Sequence, residues 1–159
     1  MTLKLPALDP ATLTPRTTSG YPEPYRSRVT PREKRALGDA CGLKTIGINQ
    51  TVLPPGKESS MRHWHTHEEE FVYVLSGELV LVTDAGEQIL KPGMCAGFPV
   101  GTAEQGDGHQ LVNRGKEPAV YLEISNRHPD DRANYSDVDL RYNGAGAPVV
   151  FTRKDGSSF

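Results

Sequence analysis

Apolar and polar positions alternate in short runs from residue 43 onward, and a turn residue cuts each run. Residues 44–53 end at Pro54-Pro55-Gly56. Residues 61–65 lead into 70–75, which end at Ser76-Gly77, and residues 78–83 end at Asp84-Ala85-Gly86, a hairpin signal. Residues 87–90 end at Pro92-Gly93, and 95–98 at Pro99-Val100-Gly101. A Gly-rich loop, 102–108, precedes 110–112, which end at Asn113-Arg114-Gly115, and 119–125 close the series. This texture predicts about eight short strands in roughly 80 residues. Even spacing with a turn signal after each strand predicts an all-β, antiparallel sandwich or barrel with no long helix in it.

Side chains at i and i+2 of a strand share a face. If His63 and His65 point inward, Met61 does too. With Glu70 inward, Val72 and Val74 follow it, while Phe71, Tyr73 and Leu75 face outward. Leu111 and Asn113 share the face of His109. The inward apolar positions are expected to be core, and Cys95 is expected to be a buried, inert thiol.

The two ends of the chain lack this rhythm. Residues 1–40, rich in Pro, Thr and charge, predict an extended N-terminal arm, either disordered or wrapped on a neighbour, with one helical turn over 32–37. Residues 41–126 form the predicted barrel, and the polar residues 127–159 predict a C-terminal tail packed on its outside.

Charge and cysteine usage exclude some partners. The net charge is −2, and no block of like charge exceeds Glu68-Glu69-Glu70, which disfavours nucleic acid and membrane surfaces as partners. Cys41 and Cys95 are far apart and form no CxxC, which excludes a zinc ribbon or thioredoxin-like motif, and nothing in the sequence points to their pairing with each other. The first 24 residues carry five prolines and no apolar core of a signal peptide. No apolar run approaches a membrane span. The expected location is a reducing, cytoplasmic compartment.

Histidines hold the strongest chemical signal. His63 and His65 flank Trp64, so on one strand they converge on a point while Trp64 faces away. Such a pair becomes a metal site only with donors from another strand, and Glu70 and His109 are the natural suppliers. Neutral imidazole suits Zn, Cu, Fe and Ni, and a carboxylate adds preference for Mn or Fe. Spacing alone leaves a surface His-x-His pair open. His67, just before the acidic triplet, reads as a rim residue or a substrate contact. Glu68 and Glu69 read as a solvated loop and His128 as surface.

These residues stand in an order that resembles the cupin family. Gly56, His63, His65, Glu70 and Gly77 are similar to the first cupin motif, G-x5-HxH-x3,4-E-x6-G, with six residues instead of five after Gly56. Gly93, Pro99, Gly101, His109 and Asn113 are similar to the second, G-x5-PxG-x2-H-x3-N. The departure is the stretch between Gly101 and His109, which holds seven residues instead of two. Glu104 stands where the histidine would fall without that insertion, and is the alternative ligand. The resemblance covers residues 44–125. It implies a double-stranded β-helix (jelly-roll) barrel holding one divalent transition metal per chain (Fe, Mn, Ni or Zn) through His63, His65, Glu70 and His109.

A site of three histidines and one glutamate leaves positions for water or substrate, which is a catalytic arrangement. By resemblance, the first expectation is a metal-dependent, dioxygenase-like enzyme acting on a small molecule, with Met61, Val72, Val74 and Leu111 as its apolar surroundings. The alternatives are a sugar-phosphate isomerase-like enzyme and a non-catalytic ligand-binding or sensor module. An isomerase of phosphosugars needs a Lys/Arg pair near the barrel mouth, for which Arg62 and Arg114 are the sequence candidates. The outward Phe71/Tyr73 stripe and the long arm predict a homodimer.

Overall fold

All eight alternating runs become strands, and among the described residues four more form outside them. The structure is a computed structural model that describes residues 3–144 and 150–159. Residues 1–2 of the expected arm and 145–149 of the expected tail lie outside the described residues. A 3-10 turn, Pro10–Thr12, and a short helix α1, Tyr25–Val29, precede strand β1, Glu33–Ala36, and helix α2, Leu37–Ala40. The barrel strands follow as β2 (Ile46–Leu53), β3 (His63–His65), β4 (Glu70–Ser76), β5 (Leu79–Thr83), β6 (Gly86–Leu90), β7 (Cys95–Phe98), β8 (Gln110–Val112) and β9 (Ala119–Asn126). The tail adds β10 (Ala133–Tyr135), β11 (Arg141–Tyr142) and β12 (Phe151–Thr152).

The strands form sheets ordered β1-β2-β9-β4-β7, β6-β5-β8 and β12-β11-β10-β3, antiparallel throughout. This is an antiparallel barrel, one of the two forms that the pattern predicts, and its jelly-roll architecture is the one that the resemblance implies. Inward parity holds: Val72, Val74 and Leu111 are buried together with Leu53, Leu79, Leu81, Leu90 and Tyr121. Each large apolar side chain so buried stabilises the fold by about 1.5–3 kcal/mol. Phe71, Tyr73 and Leu75 face outward. Cys95 differs from expectation, since it is exposed. The cause is register: Cys95 stands opposite Tyr73, and paired residues share a face, here the outer one.

The arm departs from its expected local structure. Residues 33–36 form an edge strand rather than a helical turn, because pairing with β2 covers the edge of that sheet, and tertiary pairing outweighs local helix propensity. Helix α2 begins only after it. Upstream, Arg16 pairs with Lys34 through two backbone hydrogen bonds of 2.9 Å. Beyond this edge the arm contributes Tyr21 and Val29 to a second core, shared with Met61 and with Ala133, Tyr135 and Leu140 of the tail. Tyr21 stacks on Phe151 at 5.0 Å, so arm and tail meet over β3. Met61 is buried as expected, but in this second core.

Candidate metal centre

Strand β3 presents His63 and His65 on one face. His109, at the entry to β8, returns alongside through two backbone hydrogen bonds to His63, of 2.9 and 3.1 Å. Glu70 opens β4 beneath them. Its Oε2 lies 2.8 Å from His109 Nε2, 3.5 Å from His65 Nε2 and 3.7 Å from His63 Nε2. The donor atoms of His63, Glu70 and His109 all lie within 4.8 Å of one another, and His65 Nε2 is 3.1 Å from His63 Nε2. The structure thus brings all four expected residues together.

The seven-residue insertion does not displace His109. It folds over the outer face of β3, where Trp64 Nε1 donates to Thr102 O at 2.9 Å. A Cβ at Gly106 would collide with the Trp64 ring, so the close approach requires glycine there. Glu104 sits exposed on this loop, outside the donor cluster.

Hydrogen-bond partners decide which nitrogens carry lone pairs. His63 Nδ1 faces the Met61 carbonyl at 2.9 Å, which only accepts, so Nδ1 holds the proton and Nε2 is bare. Burial, with the charges of His65 and His109, pushes the His63 pKa down to about 3 and keeps the ring neutral. His65 Nδ1 donates to Asp131 Oδ2 at 2.5 Å. Burial pulls its pKa down, but the Asp131 bond and the Glu70 charge outweigh it, and the net value rises to about 9. Burial raises the Glu70 carboxyl, yet the His109 hydrogen bond and the surrounding imidazoles hold it well below its ordinary range. Two facing Nε2 atoms 3.1 Å apart need a cation between them, either the proton that His65 carries or a metal ion. The donor set therefore fits a transition metal by its own chemistry. Phe98 stacks flat on His109 at 3.6 Å and fixes the plane of that ring.

Asp131 is the residue that sequence reasoning missed. It is fully buried, and Oδ1 accepts the backbone N–H groups of His67 and Glu68 while Oδ2 holds His65. With both oxygens so engaged, it orients the His65 ring, and the donor atoms of His65, Glu68 and Asp131 form a second group within 4.8 Å of one another. Nothing in Asp130-Asp131-Arg132 marks it in the sequence, because the pairing of β10 with β3 is what carries it to His65. Glu68 is half-buried rather than solvated, accepts the His128 backbone N–H, and is raised by burial. His67 is exposed and stacks on His128 at 4.7 Å, a rim position.

The donor cluster opens on a cavity of about 270 Å³, just below the usual range for small-molecule sites. Phe98, Val72 and Leu111 form an apolar wall, while Tyr21, Tyr121, Tyr135 and Glu123 bring polar groups. The two arginines that the sequence offered as candidates for a basic pair at the barrel mouth do not reach the cavity. Arg62 is held outside by Asp84 and Asp137, and Arg114 pairs with Glu87 on the surface. The cations that line the cavity are instead Arg16, Arg32 and Lys34, all from the arm.

Comparison with known proteins agrees with this architecture. The Cupin domain family matches residues 49–125. The fold superposes on a sugar phosphate isomerase from a cupin superfamily of Silicibacter pomeroyi with a TM-score of 0.90 and 43% identity, covering 97% of this chain and 96% of that one. Oxalate decarboxylase OxdC of Bacillus subtilis is 31% identical over 110 residues, 69% of this chain. The polyketide synthase protein TcmJ for tetracenomycin, of Streptomyces glaucescens, is 30% identical over 102 residues, 64% of each chain. The chain spans only 27% of the length of the decarboxylase. With 43% identity to a cupin over nearly the whole length of both chains, and with the two motifs meeting around one cavity, the chain belongs to the cupin superfamily.

Proposed function

We propose that the chain is a metal-dependent enzyme of the isomerase type acting on a small polar molecule, with His63, His65, Glu70 and His109 as the metal ligands. The observation that carries this reading is a four-residue donor set opening on a small cavity whose other wall holds ionisable groups. A metal bound there would polarise a carbonyl or hydroxyl oxygen of the substrate. Glu123 faces the same cavity and accepts from the Tyr121 hydroxyl at 2.8 Å. Burial raises the Glu123 carboxyl, but the charges of Lys34 and Arg32 outweigh it and keep the group ionised. Glu123 thus stays an ionised acceptor that orients the Tyr121 hydroxyl, which burial keeps protonated, toward the cavity. The sugar phosphates named for the Silicibacter relative are the substrate class to test first.

The apolar wall of Phe98, Val72 and Leu111 supports a dioxygenase-like chemistry as the second reading. Among the described residues no helix is long and apolar enough to cross a membrane, and we propose a cytoplasmic location and small-molecule substrates. The test pairs metal analysis of the freshly purified chain with proton NMR of aldose and ketose phosphates and with oxygen uptake. Near-stoichiometric Fe, Mn, Ni or Zn is expected, together with isomer turnover that a chelator and the His63→Ala/His65→Ala variant both abolish. Metal-dependent oxygen consumption without isomer turnover selects the dioxygenase reading. Absence of metal after reconstitution leaves a non-catalytic binding module.

A further inference from the structure

Lys34 of β1 and Arg32, the residue just before the strand, both line the cavity, and pairing of β1 with β2 holds this part of the arm beside it. Arg16, bonded through its backbone to Lys34, joins them from the preceding turn of the arm. Lys34 is spoken for, because it pairs with Glu123. Arg32 is not. Its side chain is nine-tenths buried, and Nη1 is sealed from solvent with no hydrogen-bond partner among the described residues. Neither Arg32 nor Arg16 has an ion-pair partner there. A buried guanidinium without an acceptor is strongly unfavourable unless something supplies one, and its planar fork suits a phosphate or carboxylate. Two carboxylates share the cavity with these three cations, Glu123, which Lys34 engages, and Glu70, which the imidazoles engage, so the two arginines are left to meet the charge of a phosphate or carboxylate. Ser60 and Ser59 line the same cavity and add hydroxyl donors.

We infer that Arg32 and Arg16 form an oxyanion-binding subsite in the cavity, so that the N-terminal arm supplies the group that anchors the phosphate or carboxylate end of the substrate. The inference rests on the proposed function only for calling that anion part of a substrate; the subsite itself stands on the unpartnered guanidinium. It also assigns to the arm the basic pair that the barrel strands lack.

The experiment is calorimetric titration of the full-length, metal-stripped chain with inorganic phosphate and, in a parallel arm, with acetate, both at constant ionic strength. Stripping the metal removes direct anion binding to it. Saturable binding of phosphate or acetate by the wild type is expected, the tighter of the two naming the oxyanion. Arg32→Gln is expected to weaken it at least tenfold, and Arg16→Ala several-fold. Arg16 is exposed, so its variant remains informative if Arg32→Gln fails to fold. Arg62→Gln and Arg114→Gln should bind as the wild type does. Lack of saturable binding by the wild type overturns the subsite, as does unchanged affinity in folded Arg32→Gln, or in Arg16→Ala should Arg32→Gln not fold. Arg32-dependent binding in a chain that isomerises nothing leaves the subsite intact and refutes only the proposed reaction. Turnover of sugar phosphates without Arg32-dependent anion binding does the reverse.

Discussion

At the scale of single residues, the centre depends on groups that touch no substrate. Asp131 fixes the tautomer and the plane of His65, leaving its Nε2 toward Glu70. Burial raises the Asp131 carboxyl, but the His65 bond and charge and the two backbone donors hold it lower than usual. Asp131→Asn is therefore expected to lower metal affinity about 10- to 100-fold, the usual effect of losing such a partner. Competition with a chromophoric chelator measures it, and His67→Ala serves as the control that should change nothing. Equal affinities for the wild type and the Asn variant would remove Asp131 from the site. His63, His65, Glu70 and His109 were legible because alternation and motif spacing are properties of the chain itself. Asp131 was not, because its role comes from a long-range strand pairing.

At the scale of elements, the arm strand β1 is tied to β9 by a partly buried ion pair of Lys34 with Glu123. The folded-state pKa of Glu123 lies below its ordinary value of 4.5, so its stabilisation is complete above that value. It is lost as pH falls through the lower, folded value, because the unfolded chain then binds the extra proton. Urea midpoints measured from pH 6 down to pH 3 should fall less steeply in Glu123→Gln than in the wild type. Parallel curves would mean that the pair does not hold β1 in place. The sequence of this element misled in an instructive way. Residues 32–37 carry good helix formers, and only the open edge of β2 makes them a strand.

At the scale of the whole molecule, the outer face of β4 leaves Phe71, Tyr73 and Leu75 each about two-fifths exposed. A continuous apolar stripe of this kind favours association, and we propose that two copies pair across it. Light scattering at micromolar concentration is expected to give twice the 17.4 kDa chain mass, and Leu75→Asp to return it toward the monomer. A monomeric wild type would sink the homodimer. The arm cannot be counted toward that interface in the way the sequence suggested, since Tyr21 and Val29 are buried in the second core of its own chain.

What the sequence determined by itself was local: eight strands, their turns, the inward parity of Val72, Val74 and Leu111, and the order of four metal-ligating residue types. Each follows from a period of two and from turn chemistry, which neighbours along the chain dictate. What only the tertiary structure decided was non-local. The outward turn of Cys95 follows from its register with Tyr73, and the seating of Asp131 on His65 follows from the pairing of β10 with β3. The cationic wall follows from the docking of residues 16–36 on the edge of β2. Alternation of Arg32 and Lys34 against Glu33 and Arg35 is visible in the chain, but which of the two faces meets the cavity depends on what the strand packs against. Hydrophobic burial and the demand of open sheet edges for partners act between segments far apart in sequence, and there the arm acquired its place in the site.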